Sequence, residues 1–396
     1  MIFFIYIRAS VAKEKICGNK NLHYIYQNFK PMTAIRHVTD FLESIAPLSS
    51  QESYDNCGLI IGDFATEITN VLVSLDCTED IVQEAIDRNC NLIVSHHPIV
   101  FSGLKKINGK NYVERTVLKA IRNNIAIYAI HTNLDNAFNG VNAEIAKRLA
   151  LKNIKILQPK KGVLTKLVFF VPLSHSEHVK QAVFNAGAGE IGLYSECSFS
   201  TKGQGTYKPL GGSNPFEGEH DKRSEVEEER IEVLVSNHRL DKVVSALLEA
   251  HPYEEVAYDL ISVENKNAFE GAGMLGELEV SVNEIDFLQQ LKKAFNCGVV
   301  RHTALLGKPI KKVAVCGGSG SFLLKDALAQ KADIYITADM KYHEFFDAEN
   351  KILIADIGHY ESEQYTSELI VAYLKEKFST FATLKTGINT NPIKYL

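Results

Sequence analysis

Residues 71–98 read VLVSLDCTEDIVQEAIDRNCNLIVSHHP, an apolar run, a helical pattern and a second apolar run that ends on two histidines. Short apolar runs that alternate with helices are typical of parallel strands buried on both faces of a sheet. Residues 313–343 repeat this arrangement, with VAVCGG and IYITADMKYH on either side of a second helical pattern. In both segments the second strand begins 21 residues after the first. The sequence therefore predicts an α/β fold with two related lobes and largely parallel sheets.

Each segment continues with a further apolar strand, IAIYAI before His131 and ILIADIG before His359. A carboxylate follows each histidine after four residues, Asp135 in the first segment and Glu363 in the second. Ligands of open parallel sheets bind beyond the carboxyl ends of the strands. These four side chains are therefore expected at one functional edge.

The composition excludes several classes of protein. The 396 residues carry 43 Lys and Arg against 48 Asp and Glu, and a net charge of -5 argues against dedicated nucleic-acid binding. No apolar stretch approaches the roughly 18 residues of a membrane-spanning helix, so no membrane association is expected. The seven cysteines form no C-x-x-C motif, which argues against a disulfide framework or a zinc ribbon. These features favour a soluble protein of the cytoplasm.

Residues 163–265 differ in pattern from the lobes on either side. Strand-like and helix-like stretches follow there in the order βαββαβ, which predicts an inserted ferredoxin-like α+β domain. Within this insert, the glycine- and charge-rich segment around GQGTYKPLGGSNPFEGEHDKRSEVEEE is expected to form an extended hairpin or a loop, with its acidic run on the surface.

The remaining boundaries follow from composition and from helical spacing. Residues 1–31 carry a local excess of basic residues and precede the amphipathic pattern that Met32 opens, so they are interpreted as a disordered leader or an over-long gene start, with a genuine strand as the alternative. The α/β domain is then discontinuous, comprising 32–162 and 266–378, and residues 379–396 are assigned to a C-terminal tail.

A set of imidazole and carboxylate side chains is predicted at the strand ends. The set comprises His96, His97, His131, Asp135, His343, His359 and Glu363. A single histidine is more often a structural or surface residue, but clustered cationic histidines would repel one another unless a metal held them neutral. Imidazole and carboxylate together suit a first-row divalent ion. The pattern therefore predicts a metal site.

Two further motifs leave alternatives open. Residues 317–320, GGSG, could cradle a phosphate between a strand and a helix, or could form a tight turn that requires small residues. In the insert, His251, Tyr253, Glu254 and Glu255 could form a second ligand site, or could lie in a helix-to-strand turn with exposed charges.

Five separated motifs resemble those of the NIF-three-like family, whose members are named GTP cyclohydrolase 1 type 2 homologues. The motifs are YDNCGLIIGD (54–63), SHHP (95–98), HTNLD (131–135), DMKYH (339–343) and DIGHYESE (356–363). Two insert segments, GAGEIGLYSECSF (187–199) and HPYEEVAYD (251–259), resemble the PII-like and CutA-like insert of the longer members.

The resemblance implies a dinuclear metal centre in a toroidal homohexamer. Carried over position by position, it assigns the metal ligands to His96, His97, Asp135, His359 and Glu363. Five protein groups do not saturate two ions, so we expect one carboxylate to bridge and some positions to stay open for water. Two divalent ions per chain, of Zn, Fe or Mn, are the expected cofactors. His131, Asp339 and His343 are then the candidates for orienting ligands or moving protons in catalysis.

The expected function is that of a metal-dependent hydrolase with a nucleotide-like or other small-molecule ligand. A GTP cyclohydrolase would attack C8 of guanine and release formate after ring opening, but no purine-specific pocket is evident in the sequence. The alternative is a non-catalytic metal-binding scaffold or sensor, in which the insert binds an effector or a partner.

Overall fold

The computed structural model describes residues 33–396. The predicted leader, residues 1–31, lies outside the described residues. Among those that are described, no helix is both long enough and apolar enough to cross a membrane.

Strands and helices alternate along the described chain. The strands are β1 (Gly58–Ile61), β2 (Asn70–Ser74), β3 (Leu92–Ser95), β4 (Ala126–Ala129), β5 (Lys152–Pro159), β6 (Leu164–Pro172), β7 (Ser198–Tyr207), β8 (Ser224–Ser236), β9 (Tyr258–Val263), β10 (Gly271–Val282), β11 (Arg301–His302), β12 (Ile310–Ser319), β13 (Ile334–Ala338), β14 (Leu353–Asp356) and β15 (Ala382–Lys385). The α-helices are α1 (Ile35–Ile45), α2 (Glu79–Asp87), α3 (Tyr112–Arg122), α4 (Thr132–Asp135), α5 (Val141–Arg148), α6 (Ser176–Asn185), α7 (Leu240–Ala250), α8 (Glu284–Ala294), α9 (Leu324–Ala329), α10 (His359–Glu363) and α11 (Thr366–Lys377).

The first sheet has the order β1-β4-β3-β2-β15. Strands β2, β3, β4 and β15 are parallel, and β1 pairs antiparallel with β4. The central strands β3 and β4 are buried at every position, as expected for strands covered on both faces. This sheet agrees with the prediction of a largely parallel lobe.

The second sheet has the order β11-β14-β13-β12-β10-β5 and is mixed rather than largely parallel. Only the pairs β12–β13 and β13–β14 are parallel, so this part of the prediction was wrong. The reason is that β5 leads into the insert and β10 leads out of it. The chain leaves β5 and enters β10 at the same end of the sheet, so the two neighbouring strands run in opposite directions and pair antiparallel.

The segment 379–396, expected to be a tail, contributes a strand to the first sheet. Ala382–Lys385 forms β15 at the sheet edge and pairs in parallel with β2, with Ala382 opposite Asn70. Thr383 is buried in this strand. The α/β body thus includes residues beyond the expected boundary at 378.

One hydrophobic cluster joins the two sheets. It contains Val71 and Val94 from the first sheet together with Val313 and Ile336 from the second, all fully or almost fully buried. Burying apolar area of this kind is the main favourable term in folding. The two halves of the discontinuous body therefore share a core, which holds the carboxyl ends of their strands in one place.

The insert has its own sheet and its own core. Its antiparallel sheet has the order β7-β8-β6-β9, and α6 and α7 supply buried residues to a separate cluster. Leu164 at the start of the insert pairs with Val263 near its end, so the two ends lie side by side. Close termini are what allow one fold to be inserted into another. The acidic run predicted for a surface loop or hairpin lies in the strand β8.

Candidate metal centre

The five predicted metal ligands come from turns and short helices that follow three parallel strands. His96 and His97 directly follow β3, and Asp135 is the last residue of α4, which begins just after β4. His359 and Glu363 are the first and last residues of α10, after β14. Their donor atoms form overlapping groups, His97 with His359 and Glu363, and His96 with Asp135 and Glu363, within 4.8 Å of one another. The structure therefore brings all five together from distant parts of the sequence.

Glu363 lies at the centre of this cluster. Its Oε2 atom is 3.0 Å from Nε2 of His97 and 3.1 Å from Nε2 of His359. Nε2 of His96 is 3.9 Å from the same oxygen and 3.6 Å from Oδ1 of Asp135. One carboxylate oxygen thus faces three imidazole nitrogens from both halves of the body.

In each histidine of the cluster, the ring nitrogen that points away from the centre, Nδ1, contacts an oxygen atom. Nδ1 of His96 contacts the Ile130 carbonyl at 2.8 Å, His97 contacts Asp76 Oδ1 at 2.7 Å, His131 contacts Asp55 Oδ1 at 2.8 Å, and His359 contacts Asp339 Oδ2 at 2.6 Å. Carbonyl and ionised carboxylate oxygens only accept, so each Nδ1 donates its proton outward. This arrangement turns Nε2 into the cavity and is typical of metal-binding histidines.

The deepest part of the cluster contains two buried polar atoms without a hydrogen-bond partner among the described residues, His96 Nε2 and Asp135 Oδ1. Burial lowers the pKa of His96 to about 4, which keeps its imidazole neutral. Burial and the neighbouring Glu363 raise the pKa of Asp135. Buried polar groups are ordinarily paired or bound to a metal, so this donor set fits a divalent cation.

The outer part of the cluster favours positive charge. Burial opposes protonation of His97, but its hydrogen bonds to Asp76 and Glu363 raise its pKa to about 10. The charge of Glu363 raises the pKa of His359 to about 11. A divalent cation supplies the same positive charge to the carboxylates while the imidazoles stay neutral, because metal binding releases their protons.

The three predicted catalytic residues lie in different environments. His131 packs its ring against His96 and His97, with centroids 5.2 and 5.3 Å away, and belongs to a donor group that lacks a carboxylate. Asp339 contacts His359 and is half-exposed. His343 is exposed in the 3₁₀ turn Tyr342–Ala348, where its ring packs on its neighbours, and it is not among the residues that line the cavity. The structure thus brings two of the three to the centre and leaves His343 outside.

Two carboxylates at the centre were not predicted from sequence. Asp76 follows β2 and holds His97, and Asp55 holds His131. Burial opposes the charge of Asp55, but hydrogen bonds from His131 and Thr132 lower its pKa. Asp76 could have been found in the sequence because it ends the apolar run VLVSLD, at the end of a predicted strand. Asp55 could have been found because it lies in YDNCGLIIGD, one of the motifs that resemble the family.

The glycines of GGSG make room for the cluster. Gly318 has a φ of +62°, and a Cβ atom there would collide with Oε1 of Glu363. The amide of Gly317 donates to Asn142 Oδ1 and that of Gly318 to Ser362 Oγ, both at 3.0 Å. Because these amides are already paired, they are not free to cradle a phosphate. At Gly318 the requirement for a small residue comes from the close approach of Glu363.

A cavity of about 540 Å³ opens over the cluster. Its wall includes the rings of Tyr54, Phe101, Phe322 and Tyr360, and the C-terminal residues 391–393. The described residues that line it include no lysine or arginine. The cavity therefore combines a polar centre with flat apolar walls.

Fold and site together define a member of a known family. Residues 33–392 match the model of the Duf34/NIF3 (NGG1p interacting factor 3) family, and the chain belongs to that family. The resemblance of the five motifs to the NIF-three-like family is thus confirmed.

Relatives and solved structures match over almost the whole chain. A protein of Halalkalibacterium halodurans named GTP cyclohydrolase 1 type 2 homolog is 39% identical over 91% of this chain and 98% of its own, and one of Bacillus subtilis with the same name is 36% identical over the same shares. The crystal structure of a Bacillus cereus protein related to NIF3 matches with a TM-score of 0.82 and 34% identity, covering 93% of this chain and 100% of that one. Staphylococcus aureus protein SA1388 matches with a TM-score of 0.73 and 30% identity over 92% and 99%.

Proposed function

We propose that the protein is a dinuclear-metal hydrolase that acts on a nucleotide-like substrate. The observation that carries this proposal is the position of Glu363, whose Oε2 atom faces the Nε2 atoms of three histidines. Two ions of Zn, Fe or Mn would be held on either side of this carboxylate. His96 and Asp135 would complete one site, and His97 and His359 the other.

Bound ions of this kind lower the pKa of water and polarise the group under attack. The protein side chains around them have separate tasks. Asp76 and Asp339 orient His97 and His359, since each carboxylate fixes the ring and the tautomer of its histidine. His131 is the candidate to move a proton at Nε2, because Asp55 already fixes its Nδ1.

The residues in the walls of the cavity favour a substrate that is recognised by a flat ring over a substrate that is recognised by its phosphates. Rings such as Phe101 and Tyr360 can pack against a purine, and Asn136 and Asn142 offer amide groups to its polar edge. A triphosphate would find no lysine or arginine among the described lining residues. GTP cyclohydrolase chemistry, which the relatives' names suggest, would therefore depend mainly on the ions for positive charge opposite the phosphates.

The test is multiple turnover by metal-loaded protein on a panel of nucleosides and nucleotides. We expect metal-dependent hydrolysis of at least one purine compound and its loss in Glu363→Ala. Glu368→Ala is the matched control, because Glu368 lies one helix further on and pairs with Arg148 and Lys385 at the surface. If metal-loaded protein turns over none of the panel, the scaffold or sensor function replaces this proposal.

We also propose that the insert is a ferredoxin-like, PII-like domain and that the chain forms a cytoplasmic homohexamer. The βαββαβ order and the antiparallel sheet of the insert support the first part. Its edge strand β9 exposes Leu260 and Ile261, which are 46% and 47% accessible, and this supports burial against another copy. Light scattering should give the mass of six chains, and a monomer would exclude the assembly.

A further inference from the structure

A second cavity of about 460 Å³ lies in the insert, far in sequence from the metal ligands. It is bounded by the end of the hairpin β7–β8, the loop between these strands and the segment that follows α7. The segment after α7 contains Tyr253, Glu254 and Glu255, the residues for which the sequence left a second ligand site open. A concave site of this size accommodates a small molecule.

Three aromatic rings form one side of the insert cavity. The ring centroid of Tyr253 is 5.9 Å from that of Tyr207 and 6.2 Å from that of Phe216. The Tyr207 hydroxyl donates to the Glu217 carbonyl at 2.8 Å, and the Tyr253 hydroxyl donates to Glu228 Oε1 at 3.0 Å. These hydrogen bonds hold both tyrosine hydroxyls at the edge of the aromatic cluster. A cation that enters the cavity can then lie against the negative faces of the rings.

Glu228, also in the cavity wall, is a buried carboxylate with little compensation. It is only 9% exposed, and within residues 33–396 it has no ion pair and accepts a hydrogen bond only from Tyr253. The similarly buried Glu114 and Glu284 each accept two backbone N–H groups. Burying a carboxylate is unfavourable unless it is paired. Its Oε2 atom accepts no hydrogen bond from residues 33–396 and is therefore available to a donor that enters the cavity.

The other charged side chains of the cavity wall are two carboxylates and one ammonium group. Glu254 and Glu255 lie in the wall, and the basic residue there, Lys208, directs its ammonium group to Asp221 at 3.9 Å. Gly205 keeps space open beside the carboxylate, since a Cβ atom at this position would collide with Glu228 Oε2. The cavity thus joins a negative potential to an apolar aromatic wall.

We propose that this cavity binds a primary alkylammonium cation. Its ammonium group donates to Glu228 Oε2, and its aliphatic chain lies against Tyr207, Phe216 and Tyr253. A charge-assisted hydrogen bond to a buried carboxylate and contact with aromatic faces together favour a protonated amine over a neutral alcohol. This site is independent of the metal centre and of the proposed hydrolase activity.

Calorimetric titration of the full-length protein with 1,5-diaminopentane tests the proposal. We expect one molecule to bind per chain, with binding reduced about tenfold or more for 1,5-pentanediol, which has the same carbon chain without the charge. Tetramethylammonium, which carries the charge but no N–H donor, should also bind more weakly. Equal binding of the diol would overturn the role of charge, and equal binding of tetramethylammonium would overturn the assignment of a primary amine.

Two variants connect the binding to its residues. Glu228→Gln should weaken diaminopentane binding about tenfold or more, because it removes the carboxylate that faces the ammonium group. Without ligand it should melt close to the parent protein, because the amide keeps an oxygen that can accept from Tyr253. Phe216→Ala alters a half-exposed loop residue and should also weaken binding. Glu249→Gln, an exposed position on α7 outside the cavity, is the control and should bind like the parent. Unchanged binding in both cavity variants would refute the site.

Discussion

The two halves of the α/β body follow the same plan but supply different parts of the centre. Strands β2–β3–β4 and β12–β13–β14 are each a parallel trio, flanked by an antiparallel strand at β1 or β11. Each trio leads into a short helix, where His131 and Asp135 in the first half correspond in spacing to His359 and Glu363 in the second. The halves therefore present a histidine and a carboxylate four residues apart towards the same place.

The difference lies at the ends of the other strands. In the first half, β3 is followed directly by His96 and His97, which face the centre as donors. In the second half, β13 ends before Asp339, which binds the outer nitrogen of His359. Strand β12 contains Gly318, which gives Glu363 the space to reach across. The comparison shows that one half supplies most of the donors, while the other supplies the central carboxylate and the room for it.

The largest expected effect is a difference in metal loss between variants of Glu363 and Asp135, the carboxylates at corresponding positions of the two halves. Glu363→Gln should lose nearly all bound metal, because its oxygen faces histidines of both proposed ion sites. Asp135→Asn should lose about half, because it contacts only the His96 side of the cluster. Elemental analysis of the purified variants measures this difference. Equal metal loss in both variants would contradict the central position of Glu363.

The next effect concerns the glycine that distinguishes the second half. Gly318→Ala should reduce metal binding, because its Cβ atom would displace the Glu363 carboxylate. Gly307 also has a positive φ, of +71°, but has open space around its Cβ position. Gly307→Ala should therefore cost only about 1 kcal/mol of backbone strain and keep its metal. Metal titration and thermal melting of both variants test this, and metal retained at full affinity in Gly318→Ala would refute the steric argument.

The corresponding histidines should also differ in function. His359→Gln should lose metal, since its Nε2 atom lies 3.1 Å from Glu363. His131→Gln should keep its metal but lose turnover about a hundredfold, as expected for a residue that transfers a proton. His343→Gln is the control and should behave like the parent, because His343 is exposed outside the cavity. Metal lost from His131→Gln would show that His131 is a ligand and make the two halves more alike than proposed.

The smallest effect concerns the carboxylates that orient the histidines. Asp76→Asn and Asp339→Asn should each lower metal affinity about tenfold without preventing saturation, since they act through the outer nitrogen of a ligand. Asp76 also accepts a hydrogen bond from Thr390 at 2.5 Å, so Thr390→Val should weaken the same site less. Competition with a fluorescent chelator measures these affinities. Affinities equal to the parent would exclude a positioning role.

Much of the fold was predictable because it depends on local pattern. Buried parallel strands read as short apolar runs, so β2, β3, β13 and β14 were located from sequence. The orientation of β5 and β10 was not, because it depends on where the insert returns the chain. Strand β15 was also missed, since four residues at a sheet edge carry a weak pattern and gain their stability by pairing with β2.

The sequence by itself determined the family, the alternation of strands and helices, and the five donors that the structure gathers into one cluster. The alternation follows from residue type and spacing, which the linear chain displays directly, whereas the choice of these five donors came from the resemblance of the motifs to the family. Only the tertiary structure decided that Asp55 and Asp76 hold histidines, that His343 lies outside the centre, and that Glu228 is buried beside three aromatic rings. The physical reason is that these properties depend on contacts between distant segments, and hydrogen bonding and burial are set when the chain packs, not by neighbours in sequence.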